Sequence, residues 1–194
     1  MNTSSEFAAF LDLAAMLVTD PRTGVLLALL TTAAVIDYRT FKIPNWLTGG
    51  GLAFALAYNI LVPPQYNAAW YFAPAGMMVG LLLTLPMYVM RIMGAGDVKL
   101  MAMVGAFLGP GEAVFALLYS FIAAGIAALA FGMNNGVMGR MLGNLRYIAT
   151  GTWLPVATSG KPSARTASVG HLAFGLSIAV GTTVLVVGRH FNFI

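Results

Sequence analysis

The sequence contains no cysteine and very few charged residues. Without cysteine there are no disulfides, no thiolate metal sites and no cysteine nucleophile. Only 8% of the 194 residues are charged, whereas soluble domains carry about 25%. With 59% hydrophobic residues and a mean hydropathy of +0.85, the composition indicates a multi-span membrane protein. The basic residues form no run, which argues against nucleic-acid binding.

Apolar stretches occupy most of the chain, and six of them are long: 22–38, 46–62, 70–90, 98–110, 111–132 and 168–188. Most approach the roughly 20 residues needed to cross about 30 Å of hydrocarbon. We therefore predict an all-α fold, a polytopic bundle of about six transmembrane helices that forms a single membrane domain over residues 1–194. The fourth stretch would extend only about 18 Å as a helix. It either continues through Pro110 or begins below the membrane surface.

Two segments lie outside these spans. Residues 1–21 are predicted to form an interfacial N-terminal segment, because the apolar run at 6–18 is short and is interrupted by Asp12. That run lacks the basic start and small-residue cleavage site of a removable signal peptide. The longest polar segment, 140–166, falls in a predicted cytoplasmic loop at 133–167, and its first residues form an amphipathic pattern suited to the inner leaflet.

The distribution of charge predicts the orientation of the bundle. If the N-terminus is outside, the connections at 37–46, 91–99 and 133–167 are cytoplasmic, and they hold all the basic residues except Arg22 and Arg189. This agrees with the positive-inside rule and places both termini outside. Asp37 and Asp97 are then the only acidic residues on the cytoplasmic side.

These two aspartates are the strongest candidates for chemistry. Each follows or precedes an apolar run, and an ionisable side chain at membrane depth is a functional candidate by default. Two facing carboxyl groups do not ionise together easily, so the pair holds one proton near neutral pH. The ionised partner can take a proton from an attacking water while the protonated partner binds the carbonyl oxygen.

The positions of the aspartates on their helices predict how the two roles divide. Asp97 precedes a predicted helix, whereas Asp37 lies near a helix end, so the helix dipoles favour Asp97 as the more acidic residue and Asp37 as the resting proton holder. Gly94 and Gly96 are predicted to allow a tight turn and close approach of a substrate strand. The alternative is a simple turn with Asp97 as the helix N-cap.

Together these motifs resemble the type IV prepilin peptidases, which are G-x-G-D membrane aspartic peptidases. The first motif of that family is matched by Asp37, Ile43, Pro44, Asn45, Leu47 and Thr48, and the second by Gly94, Gly96, Asp97, Lys99 and Leu100. The resemblance covers roughly residues 22–185. It implies that Asp37 and Asp97 are catalytic. It also implies that Ile43, Pro44, Asn45, Gly94, Gly96 and Lys99 form the substrate-binding or active-site loops.

A third family element is matched only in part near the last apolar stretch. Gly175, Ile178, Ala179 and Gly181 fit its pattern, but Ala173 and Phe174 stand where the family has Pro-Tyr. Close helix packing through small residues is the favoured interpretation of this segment. Larger family members carry a cysteine-rich insertion and N-methylate their product. Because this chain has no such module, it resembles the short form of the tight-adherence (Flp) pilus branch, and methyltransferase activity is not expected.

The resemblance implies an endopeptidase of the bacterial inner membrane that cleaves the leader peptide from type IV/Flp prepilin-like proteins at the cytoplasmic face. Its partners would be a prepilin or pseudopilin, with its leader and apolar helix, and the lipid bilayer. Neither a metal nor an organic cofactor is implied, and the oligomeric state is left open.

Two other functions are compatible with a membrane-embedded pair of aspartates. A presenilin-like intramembrane protease shares G-x-G-D, but such proteins place a tyrosine before the first aspartate, where this chain has Ile36. The second is a proton-coupled membrane carrier that uses both aspartates as a relay. The small size of this chain and the absence of an internal repeat in its sequence argue against a carrier.

Overall fold

The computed structural model describes residues 20–62, 70–90, 92–134 and 174–191. Within these ranges the chain forms helices and short connections, with no strand: α1 Pro21–Thr40, α2 Asn45–Leu61, α3 Phe72–Val89, α4 Ala95–Leu108, α5 Pro110–Asn134 and α6 Phe174–His190. The predicted all-α fold is confirmed. The interfacial segment before residue 20 and the loop segment at 140–166 lie outside the described residues.

The described helices belong to two compact units. Residues 20–124 and 174–191 form the first, and the end of α5, residues 125–134, belongs to the second. The candidate site lies wholly within the first unit. That all of residues 1–194 form a single membrane domain stays a prediction.

Helix α1 has a well-defined start and end. The Asp20 carboxylate accepts hydrogen bonds from the Arg22 N–H at 3.2 Å and from the Thr23 hydroxyl at 2.6 Å, which is the usual chemistry of an N-cap. At the other end, Phe41 adopts a left-handed conformation (φ 51°), and its N–H donates to the carbonyl oxygen of Asp37 at 2.8 Å. Asp37 therefore lies in the last turn of α1, immediately before the turn that leads to α2.

The short helix α4 is the centre of the first unit. It contacts α1, α2, α3 and α6, and Leu100, Met101, Met103 and Val104 are fully buried. A helix that is hydrophobic all round is normally an interior helix. Its 14 residues extend only about 21 Å. The alternative in which this helix continues through Pro110 is wrong, because Gly109 adopts φ 88° and α5 begins anew at Pro110.

Helices α3 and α4 touch backbone to backbone through glycines. A Cβ placed on Gly76 would collide with the carbonyl oxygen of Gly105, and a Cβ on Gly105 would collide with that of Gly76. Gly80 lies one turn further along α3, and a Cβ there would come within 2.5 Å of the carbonyl oxygen of Met101. Small residues of this kind let membrane helices approach closely. The close approach fixes α4, and with it the start of α4 where Asp97 lies.

This contact makes Gly105→Ala a destabilising change. Neither carbonyl can move without shifting its helix, so we expect the free energy of unfolding to fall by about 3 kcal/mol. Thermal unfolding of the purified protein in detergent measures the effect. Gly49→Ala on α2 is the matched control, because a Cβ there meets nothing within 4 Å and alanine favours the helix by up to about 1 kcal/mol. Equal stability of Gly105→Ala and the wild type would contradict the close packing.

Two of the described helices are long and apolar enough to cross a membrane, Phe72–Val89 and Pro110–Met133. Only 22% and 17% of the residues in their apolar windows are buried, respectively, so most of these residues are at least partly exposed. Exposed apolar surface on this scale is typical of contact with lipid or a partner. Helix α6 is apolar but shorter. Which of the six helices span the membrane stays a prediction.

Candidate active site

The two aspartates lie at the same end of adjacent helices. Asp37 is in the last turn of α1 and only 5% exposed, and Asp97 is in the first turn of α4. These helices contact each other. The carboxyl groups are close enough for the charge of Asp37 to raise the pKa of Asp97. That the two carboxyl groups act as a catalytic pair stays a prediction.

The expectation that Asp97 precedes the fourth helix is wrong, because α4 begins at Ala95. Gly94, not Asp97, occupies the N-cap position, and the Asp97 carboxylate accepts a hydrogen bond from the Gly94 N–H at 3.1 Å. Asp97 thus forms half of a capping box three residues into the helix. Gly94 has φ −76° and Gly96 is helical, and neither has a positive φ. The expectation that these glycines are needed for a tight turn is wrong.

Asp97, outside the two candidate spans, has a strongly perturbed pKa. Burial raises the pKa of Asp97 to about 6, the hydrogen bond from the Gly94 N–H opposes this rise, and the charge of Asp37 adds to it. Desolvation thus outweighs the favourable helix N-terminus. The group consequently exchanges its proton close to neutral pH. That Asp97 is the more acidic member of the pair stays a prediction.

The two sequence motifs meet in space. Ile43, in the connection between α1 and α2, packs on Gly96, where an added Cβ would lie 3.2 Å from the Cβ of Ile43. The Nζ atom of Lys99 donates a hydrogen bond of 2.8 Å to Oδ1 of Asn45, across 54 positions of sequence. Pro44 acts locally, and its carbonyl oxygen accepts from the backbone N–H groups at the start of α2. The α1–α2 connection and the start of α4 therefore form one surface beside the aspartates.

The hydrogen bond between Lys99 and Asn45 can be tested by a double-mutant cycle. Both residues are exposed, so the energy of the hydrogen bond should be modest. We expect a coupling free energy of about 1 kcal/mol between Lys99→Met and Asn45→Ala, or roughly fivefold in kcat/KM. Cleavage rates of the wild type, both single variants and the double variant give this energy. In the control cycle, which replaces Lys99→Met with Lys42→Met, the effects should add. Additive effects in the first cycle would show that the contact does not organise the site.

A residue of α6 also reaches the site, which the sequence did not predict. The backbone N–H groups of Gly175 and Leu176 face the carboxyl group of Asp37. A Cβ on Gly175 would lie 2.7 Å from Oδ2 of Asp37 and 2.8 Å from Cδ1 of Ile43. The partial match to the third family element was the one signal for this position. Gly181, by contrast, packs against the backbone of Ser120, as the close-packing interpretation expects.

No group of three or more His, Asp or Glu side chains that could hold a metal ion occurs in residues 20–62, 70–90, 92–134 and 174–191.

The fold and the site describe a helical membrane protein with a pair of acidic residues at one end of the bundle. Comparison with protein families gives the class. Residues 24–129, more than half of the chain, match the type IV leader peptidase family. The chain belongs to this family and is a peptidase of the leader-peptidase type. No curated protein and no solved structure matches it significantly. The matched region includes both motifs and ends before α6.

Proposed function

We propose that this chain is a membrane-embedded aspartic endopeptidase that cleaves the leader peptide from type IV/Flp prepilin-like proteins at the cytoplasmic face of the inner membrane. Asp37 and Asp97 are its catalytic pair. The observation that carries the proposal is the meeting of the two motifs, in which Ile43 packs on Gly96 and Asn45 binds Lys99. This contact holds the two acidic helix ends together.

The chemistry follows from one proton shared between two carboxyl groups. The ionised aspartate removes a proton from water as the water oxygen attacks the carbonyl carbon of the scissile peptide bond. The protonated aspartate donates a hydrogen bond to the carbonyl oxygen, where negative charge develops. When the C–N bond breaks, the aspartate that took the proton from water passes it to the nitrogen of the leaving amine, and the pair again holds one proton. The pKa of about 6 for Asp97 supports a group that gains and loses its proton near neutral pH.

The distribution of charge supports the cytoplasmic placement of the site. Arg39, Lys42 and Lys99 lie within five residues of Asp37 or Asp97 in the sequence, and the positive-inside rule assigns such an end to the cytoplasm. Glu112 and Arg189 form an ion pair of 2.5 Å between the start of α5 and the end of α6, at the opposite ends of helices from the site. The substrate that fits this arrangement has a polar leader inside and an apolar helix in the bilayer. The reaction requires no cofactor, and methyl transfer is not part of the proposal.

Cleavage of a prepilin precursor tests the proposal most directly. The purified chain, reconstituted in lipid vesicles, should cut the precursor once, between its leader and its apolar helix, without an added methyl donor. Mass spectrometry of both products identifies the bond. Absence of cleavage together with proton flux across the same vesicles would support the carrier function instead.

The orientation is open to a separate test, because the chain has no native cysteine. Lys42→Cys lies beside the site, and Gly111→Cys lies at the start of α5, where an added side chain meets nothing within 4 Å. In intact cells, an impermeant thiol reagent should label position 111 and not position 42. Both positions should react after the cells are opened. The reverse pattern in intact cells would place the aspartates on the outer face.

A further inference from the structure

The first turn of α6 lies directly against Asp37. The N–H groups of Gly175 and Leu176 face its carboxyl group, and Gly175 brings the backbone so close that an added Cβ would stand 2.7 Å from Oδ2. The first N–H groups of a helix have no partner within the helix. They also carry the positive end of the helix dipole. This turn therefore offers donors and positive potential to a carboxylate.

The Asp37 carboxyl group needs such a neighbour. Its Oδ2 atom is buried and has no hydrogen bond that is both short and straight within the described part of the chain. A buried polar atom without a partner is costly, and such atoms concentrate where strain or chemistry requires them. The oxygen thus lies near the N–H groups of α6 while its capacity to accept a hydrogen bond is not fully used.

We propose that the first turn of α6 positions the Asp37 carboxyl group for catalysis, and that residue 175 must be glycine for this contact to form. The inference rests on the proposed function, because it gives Asp37 a catalytic role. Gly175 is a positioning residue and does not itself touch the substrate. It lies outside the region that matches the family, residues 24–129. The active site would then be built from three elements: the end of α1, the start of α4 and the start of α6.

The side chains around Gly175 indicate which property a substitution would change. The two atoms nearest to an added Cβ, Oδ2 of Asp37 and Cδ1 of Ile43, are the ends of side chains that can rotate away. The backbone can therefore accommodate an alanine at position 175, but the Asp37 carboxyl group would have to rotate away from the added methyl group. Alanine is also the better helix former. The proposal consequently predicts a loss of catalysis with little loss of stability.

Gly175→Ala should lower kcat about 100-fold, as expected for a displacement of about 1 Å in a reacting group. We expect KM to change by less than about twofold and Tm by less than about 4 °C, the equivalent of roughly 1 kcal/mol for a chain of this size. Gly50→Ala in α2, where a Cβ meets nothing within 4 Å, is the matched control and should cleave normally. An unchanged kcat for Gly175→Ala, or a raised KM with normal kcat, would overturn the proposal.

A second variant separates the contact with Asp37 from the contact with Ile43. Ile43→Val removes the Cδ1 atom that an alanine at 175 would strike. If Gly175 serves only to pack against Ile43, Ile43→Val should restore kcat in the Gly175→Ala background. We expect no restoration, and restoration would overturn the proposal.

Stability provides a test that does not depend on turnover. If Gly175→Ala lowers Tm by more than about 4 °C, that loss should disappear when Asp37→Ala removes the carboxyl group. A loss that persists would show that Asp37 is not the group displaced. Asp37→Asn is assayed in parallel. If that variant cleaves normally, the proposed function has failed, whereas a dead Asp37→Asn beside a fully active Gly175→Ala rejects only the role of α6.

Discussion

Asp37→Asn and Asp97→Asn should each lower the cleavage rate by at least about 10³-fold, because the proposed mechanism requires one ionised and one protonated carboxyl group. Asparagine has nearly the same shape as aspartate but neither accepts nor releases a proton near neutral pH. Rates of prepilin cleavage in reconstituted vesicles measure the effect. Asp20→Asn, which changes an exposed carboxylate at the other end of α1, is the control and should cleave normally. Near-normal processing by either site variant would rule out the paired mechanism.

Loss of activity is informative only if the variants remain folded. The pKa of Asp97 predicts that the Asp97→Asn variant remains folded. Burial raises the pKa of Asp97 to about 6, above the value near 4 of an unfolded aspartate. The favourable contribution of the Asp97 side chain to the free energy of unfolding is complete below about pH 4 and is lost as the pH rises through about 6. At neutral pH the ionised side chain therefore destabilises the fold. We expect Asp97→Asn to have a higher Tm than the wild type at pH 7.5 and no such advantage at pH 4.

The helices were predictable because their apolar lengths are set by local composition. The stretch predicted at 22–38 became α1 at Pro21–Thr40, and the stretch predicted at 111–132 became α5 at Pro110–Asn134. The end of α4 was left open, because the sequence does not show whether Gly109 adopts the positive φ that separates it from α5. The helix is short because it begins after Gly94 and ends before Gly109, and its burial is a property of the packed bundle.

The site was predictable as far as its residues lie in contiguous motifs. The sequence named Ile43, Asn45, Gly96 and Lys99, and the structure brings them together in two direct contacts. The role of Gly175 was not predicted, because its contact with Asp37 depends on how α6 packs against α1. The reason for glycine at 94 and 96 was also missed. A sequence indicates that a glycine is present, but only the neighbouring chain shows whether conformation or space requires it.

The second prediction concerns the space above Gly96. An added Cβ there would lie 3.2 Å from the Cβ of Ile43, a tight approach, and in ordinary contact at 3.6 Å with the Ile43 backbone nitrogen, so little space remains for anything larger than a Cβ. Valine adds two further methyl groups. We expect Gly96→Val to push the α1–α2 connection away from α4, to separate the parts that carry Asp37 and Asp97, and to lower the cleavage rate at least about 100-fold. The accompanying loss of stability should be about 1–2 kcal/mol.

Ala95→Val is the matched control, because it places the same β-branched side chain one residue earlier in the first turn of α4. Position 95 is exposed and already carries a Cβ, so we expect its cleavage rate to stay within about threefold of the wild type. Cleavage rates and thermal unfolding of both variants, measured in the same vesicles or detergent, separate the two effects. If Gly96→Val loses stability but cleaves at a normal rate, the contact with Ile43 only packs the helices together. If Gly96 instead keeps the two aspartate-bearing segments in register, Gly96→Val must lower the cleavage rate at least about 100-fold while the free energy of unfolding falls by only about 1–2 kcal/mol. Ala95→Val must not show this loss of rate.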